Sequence, residues 1–125
     1  MKLAYFKVEE FQCACGCKKL PKPEIMQVAD RIRQEWGGPI VVTSGARCNV
    51  RRNQLRSNGI PAAIGSAHNV GLAVDLAPAD GRIEAFHQFC IDRLEVWGVW
   101  MECPTYTGSW AHIQLRPAGR RLFRP

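Results

Sequence analysis

Ile25, Val28, Ala29, Ile32 and Trp36 recur at helical spacing and form one apolar stripe on an otherwise charged segment. Pro21 and Pro23 open this helix and Gly37-Gly38-Pro39 ends it. Ile40-Val41-Val42-Thr43 is a short β-branched strand that runs into Ser44-Gly45-Ala46-Arg47. A polar, basic helix is expected from about Cys48 to Ser57, stopped by Asn58-Gly59, with a loop from Pro61 to Gly65. From Gly71 to Ala77 the pattern changes to strict alternation. Leu72, Val74 and Leu76 fall on one face and Ala73, Asp75 and Ala77 on the other, which predicts a half-buried strand. Arg82 to Val96 reads as a second amphipathic helix carrying Ile83, Phe86, Cys90 and Leu94, with Trp97 beyond it and Gly98 as its cap. Val99 to Glu102 predicts a strand and Tyr106-Thr107-Gly108 a turn. Trp110 to Leu115 alternates again, with Ala111, Ile113 and Leu115 inward and Trp110, His112 and Gln114 on the opposite face. Trp36, Trp97 and Trp100 are assigned to the core, and His87, helical and without a partner pattern, to the surface. The expected fold is α+β, an antiparallel sheet flanked by helices.

The chain has 125 residues, 46% of them hydrophobic, which suits one domain over 1–125. Residues 1–20 form a cysteine-containing N-terminal segment and 117–125 a basic tail. No apolar run approaches the ~20 residues of a membrane span. The first ten residues turn charged before a signal-peptide core can form, so a soluble protein without an export signal is expected. Seventeen basic against eleven acidic residues give a formal charge of +6. The excess gathers at Arg47, Arg51, Arg52 and Arg56 and again at Arg116, Arg120, Arg121 and Arg124. Such a surface favours polyanions, but no nucleic-acid-binding motif accompanies it. Cys13, Cys15 and Cys17 alternate, whereas structural zinc sites usually separate paired cysteines by two or more residues. The trio therefore reads as packing or an optional disulfide before a metal site. Cys48, Cys90 and Cys103 read as isolated small buried residues.

Three side chains carry the chemistry. Asp75 is a carboxylate within an apolar strand, where an unpaired charge is costly and a cation is the natural partner. His112 interrupts a second strand in the same way, and His68 lies seven residues before Asp75 in a loop able to fold over that polar face. If the two strands are neighbours, two imidazoles and one carboxylate converge. That set suits one Zn²⁺ with a fourth position open to water, the arrangement used for amide hydrolysis. A plainer reading stands beside it: hydrogen-bonded core histidines and an Asp paired with an arginine.

Ser44-Gly45-Ala46-Arg47, then Ser66-x-His68-x-x-Gly71-x-Ala73-x-Asp75, then Trp110-x-His112 resembles the zinc D-Ala-D-Ala carboxypeptidases and L-alanyl-D-glutamate endopeptidases. Phe11-x-Cys13-x-Cys15-Gly16-Cys17 is similar to the opening of compact phage-type members. The resemblance spans about residues 11 to 116. It implies a hedgehog-like α+β fold, zinc at His68, Asp75 and His112, and cleavage of peptidoglycan stem peptides. It also implies that Arg47 steadies a substrate carbonyl or carboxylate, against the alternative of a solvated residue at a basic helix start. Ser66 either bonds substrate or shapes its loop. Trp110 either lines the substrate groove or packs, and Gln114 is placed to orient a zinc ligand.

The chain departs from the family pattern at one point: Ser109 stands three residues before the last histidine, where many members carry a carboxylate base. The acidic residues elsewhere fall on the N-terminal segment, the helices or a loop. Glu102, alone in the segment after Gly98, is left as the candidate general base and acid, against the alternative of a surface or structural role. The expected protein is a zinc metallopeptidase of endolysin or cell-wall carboxypeptidase type, held in the host cytoplasm before lysis and drawn by charge to anionic envelope polymers. The alternative is a catalytically weak, zinc-stabilised cell-wall-binding or virion-structural module.

Overall fold

A computed structural model describes residues 1–59 and 66–125; the loop expected from Pro61 to Gly65 lies outside the described residues. Helix α1 (Pro23–Trp36) begins on a proline, whose missing N–H falls where no helical acceptor is lost, and ends at Gly37 in the left-handed conformation (φ 80°). Its apolar stripe, Ile25, Ala29 and Ile32 with Met26, is fully buried. Strand β1 (Ile40–Ser44) follows, then α2 (Asn49–Ser57), β2 (Ala73–Pro78), α3 (Ile83–Ile91), α4 (Leu94–Trp97), β3 (Trp100–Glu102), β4 (Ala111–Gln114) and β5 (Leu122–Phe123).

The five strands form one sheet in the order β1-β2-β4-β3-β5. Four of them pair antiparallel, as expected, while β5, within the basic 117–125 segment, adds a parallel edge to β3. Backbone bonds from Met101 N to Arg121 O and from Cys103 N to Phe123 O, both 2.7 Å, hold that edge. Helices α1 and α3 pack on β2 and β4, and their buried side chains close over Val74, Leu76, Met101 and Ile113. Trp36 meets Phe86 and Phe89 edge-on at 5.1 and 5.2 Å between ring centres. The opposite face of β2 and β4 carries Asp75 and His112.

Four expectations need correction. The helix expected from Arg82 to Val96 is two helices. Arg93 breaks it, because its N–H bonds to Cys90 O three residues back while its guanidinium returns to Phe89, bonding the carbonyl at 2.9 Å and stacking 4.0 Å over the ring. His87 is buried, not exposed, because α3 lies against the start of β4 and its Nε2–H donates to Trp110 O at 2.7 Å. Trp100 is half-buried beneath the Arg121 guanidinium rather than in the core. Strand β2 is buried along nearly its whole length, since the loop before it and Arg47 cover the face that alternation left to solvent.

Candidate metal centre

Register brings the first two residues together. Asp75 lies directly opposite His112 across the β2–β4 ladder, so both side chains leave the same face of the sheet. On the other side of β2, the β1 register shifts between Val42 and Ser44, and this bulge brings Ser44 opposite Asp75 and aims the chain that follows into the site. Gly45 is required there, because a Cβ would collide with the backbone of Phe11. His68 arrives from a tight coil closed by Val70 N to Ser66 O, Gly71 N to His68 O and Leu72 N to Ala67 O. Gly71, at φ 78° and packed on the backbone of Lys22, turns the chain into β2.

The result is a buried triad. His68, Asp75 and His112 are 2, 6 and 9% exposed. One ligand atom from each lies within 4.8 Å of the others, the spacing of a group able to hold a metal ion. His68 Nε2 is 3.1 Å and His112 Nδ1 2.9 Å from the same atom, Asp75 Oδ1. The outer nitrogens define the tautomers. His68 Nδ1 is 2.8 Å from Gly45 O, which only accepts, so Nδ1 carries a proton. Gln114 donates its amide to Arg116 O at 2.7 Å, which turns its Oε1 toward His112 Nε2, also at 2.7 Å, so Nε2 is the protonated nitrogen there. Two imidazole lone pairs and a carboxylate oxygen thus point at one another. Such a set demands a positive charge among them, either an extra proton or a metal cation, and carbonyl-anchored outer N–H groups are the usual support of metal-binding histidines. The donor chemistry fits zinc.

Charge in the site follows the same contacts. Burial opposes the Asp75 carboxylate, yet hydrogen bonds and charge from His112 and His68 hold its carboxyl well below the usual range. Burial likewise opposes the charged form of His112, but the hydrogen bond and charge of Asp75 more than offset it and raise the ring. Burial also lowers the Arg47 guanidinium, with Asp75 acting in the other direction; arginine remains charged at any physiological pH.

Arg47 Nη2 lies 3.8 Å from Asp75 Oδ2, the oxygen turned away from the histidines. The triad floors a cleft of about 950 Å³ whose lining includes Arg47, Ser66, Glu102, Tyr106 and Trp110. Trp100 faces Gln114 and Met101 faces Ile113 across β3–β4, and Met101 is in the core, so Glu102 one residue on turns to the opposite face and lines the same cleft as the triad. Glu102 therefore shares the face of the triad, and its charge acts on both His112 and Arg47. Ser66 is tied to Asn69 through its hydroxyl at 3.1 Å, a loop-shaping contact. Trp110 is half-buried on the cleft wall and fixes His87 through its carbonyl.

Sequence reasoning passed over two residues that position Arg47. Asn69 Nδ2 and Lys19 Nζ donate to Arg47 O at 3.1 and 3.0 Å, and Lys19 Nζ also reaches Asn69 O at 2.6 Å. Arg47 N in turn bonds to His68 O at 3.2 Å. The adjacency of Asn69 to His68 was the only signal in the sequence.

The family profile described as Peptidase M15 matches residues 4–104, most of the chain. The chain belongs to the Peptidase M15 family. Neither curated proteins nor solved structures gave a match. Membership makes the protein a metallopeptidase and agrees with the α+β fold of a five-stranded sheet with helices. The matched span includes Arg47, His68, Asp75 and Glu102, while His112 lies beyond it and joins the site through the β2–β4 register. Among the described residues, no helix is long and apolar enough to cross a membrane.

Proposed function

We propose that this M15 peptidase hydrolyses amide bonds in peptidoglycan stem peptides, as an endolysin or cell-wall carboxypeptidase, using one zinc ion held by His68, Asp75 and His112. The observation that carries this reading is the pair of imidazole nitrogens facing one carboxylate oxygen at the floor of an open cleft that Arg47 and Glu102 also line. Zinc bound there supplies Lewis acidity for a carbonyl and makes water acidic enough to act near neutral pH.

The protein's own groups do the rest. Gly45 O and Gln114 Oε1 lock the two rings with their inner nitrogens turned to the ligand position. Glu102 takes a proton from the attacking water and returns it to the leaving amine as the C–N bond breaks. Arg47, held by Asp75 on its side chain and by Asn69 and Lys19 on its carbonyl, stabilises the negative charge that develops on the carbonyl oxygen. The cleft's cationic lining, Arg47 with Arg51 and Arg116, suits the carboxylates of stem peptides and other anionic envelope polymers.

Ser109 in place of the more usual carboxylate favours a second reading, a zinc-stabilised wall-binding module with little turnover. Digestion of purified peptidoglycan by the parent and by Glu102→Gln separates the two. The expected variant keeps its zinc and loses about 10²- to 10⁴-fold in hydrolysis. Undiminished hydrolysis would remove Glu102 from the mechanism, and an inactive parent on every stem-peptide type would leave the binding module.

A further inference from the structure

The alternating cysteines of the N-terminal segment do not stand apart from Cys48. Cys13, Cys15, Cys17 and Cys48 each bring a sulfur within 4.8 Å of the others. Cys13 Sγ is 3.5 Å from Cys15 Sγ and 3.7 Å from Cys48 Sγ, and Cys15 Sγ is 3.3 Å from Cys48 Sγ. Four sulfurs at about 2.3 Å from a zinc ion in a tetrahedron stand about 3.8 Å from each other, close to the separations among Cys13, Cys15 and Cys48 and within the 4.8 Å that bounds Cys17. The expectation that Cys48 stands alone is corrected here, because its sulfur lies 3.7 Å from that of Cys13 and 3.3 Å from that of Cys15; the alternating spacing, which argued for packing or an optional disulfide before a metal site, does not hold the trio's sulfurs apart. In a strand, residues i and i+2 are roughly 6.6 Å apart. Residues 14–17 instead form a turn, with Gly16 N bonded to Cys13 O at 3.3 Å and with Gly16 and Lys18 at φ 86° and 65°. The chain curls and brings the sulfurs together, with Cys13 buried, Cys15 and Cys48 half-buried and Cys17 on the exposed rim.

We propose that Cys13, Cys15, Cys17 and Cys48 form a second, structural zinc site of four thiolates, separate from the histidine–aspartate centre. The surroundings suit thiolates. Cys48 N donates to Cys13 Sγ and Arg51 N donates to Cys48 Sγ, each at 3.4 Å, so two backbone N–H groups already face the sulfurs. Lys18, Lys19, Arg47 and Arg51 are adjacent in sequence to the ligands or near them and offset the net negative charge of a zinc tetrathiolate. Cys48 caps α2 directly after Arg47, and Ala46 N bonds to Phe11 O at 3.0 Å. The ion therefore clips the N-terminal segment to the junction that carries Arg47. Its four protein ligands leave no open position, which makes it a structural element and not a second reaction centre.

The test is metal counting on the full chain, purified with zinc and a reductant, together with native-state thiol alkylation mapped by mass spectrometry. The expected parent holds about two zinc ions, Cys48→Ser about one, and His68→Ala/His112→Ala also about one. Alkylation of the parent is expected to spare Cys13, Cys15, Cys17 and Cys48 until a strong chelator is added, while the half-buried Cys103 reacts throughout. Cobalt loaded into the His68→Ala/His112→Ala variant is expected to show intense thiolate-to-metal charge-transfer absorption. This result does not depend on the peptidase reading, because it is obtained without the histidine ligands. A parent with about one zinc whose loss follows the histidines alone would overturn the proposal, as would a disulfide among these cysteines in the reduced preparation. If Cys48→Ser does not fold, unprotected cysteines in the zinc-loaded parent would overturn it equally.

Discussion

Gln114→Leu removes one outer support of the metal centre while leaving its three ligands in place. In the parent, Gln114 Oε1 accepts from His112 Nε2 and its amide donates to Arg116 O, both at 2.7 Å. Leucine fills a similar volume but accepts nothing, so the Nε2–H of a histidine only 9% exposed is left without its acceptor. Stranding such a buried donor costs about 1–3 kcal/mol. Part of that penalty is relieved if the ring turns over, which moves the lone pair away from Asp75 and out of the ligand position. Loss of such a support typically weakens metal affinity about 10- to 100-fold, or about 1.4–2.7 kcal/mol. Zinc affinity is measured by competition with a chromophoric chelator on parent and variant under identical conditions. Both keep the same four cysteines, so the difference belongs to the histidine–aspartate centre. Gln114→Glu, whose carboxylate still accepts from the ring, is expected to bind zinc at least ten times more tightly than Gln114→Leu. Affinities of parent and Gln114→Leu within about twofold of each other would refute the tautomer assignment and the role given to Gln114.

Other substitutions test the surrounding architecture. Gly45→Ala drives a Cβ into the Phe11 backbone, which has no flexible side chain to yield, and is expected to cost about 1–3 kcal/mol in urea denaturation; an unchanged midpoint would contradict the close approach. Arg47→Ala is expected to lower kcat about 10²- to 10³-fold with zinc content unchanged, and a change confined to KM would instead assign Arg47 to ground-state binding. Asn69→Ala frees the Arg47 carbonyl from one of its two donors and is expected to give a smaller loss in kcat than Arg47→Ala, with Tm lowered by only a few degrees.

The parts of the fold that were legible in the sequence are those written as periodicity. The stripe from Ile25 to Trp36 gave α1 with both ends, and the alternations around Asp75 and His112 gave β2 and β4. Polar residues at the solvent phase of these two strands, with a histidine shortly upstream, made His68, Asp75 and His112 candidates on condition that the strands were neighbours, and the family resemblance singled them out. What periodicity could not express are contacts between backbone and side chain. Arg93 ends a helix by folding back on Phe89, an interaction with no pattern in the apolar spacing. His87 is buried because a carbonyl on the approach to β4 happens to face it. The cysteine turn was hidden for a related reason: residue spacing carries no backbone path, and positive φ at Gly16 and at Lys18, a residue with a Cβ, bends the segment into a cup that Cys48 closes from 31 residues beyond Cys17. The pairing of β5 with β3 likewise depends on a two-residue strand too short to carry a signal.

The central claim is that His68, Asp75 and His112 hold a metal ion that supports hydrolysis of stem peptides. Mass spectrometry of muropeptides treated with the parent and with His112→Ala, with zinc counted in both proteins, tests it most directly. The parent is expected to add the elements of water across one stem-peptide amide, and His112→Ala to carry about one zinc fewer and to leave that bond intact. Cleavage by His112→Ala at the parental rate, or intact muropeptides from a fully zinc-loaded parent, would contradict it.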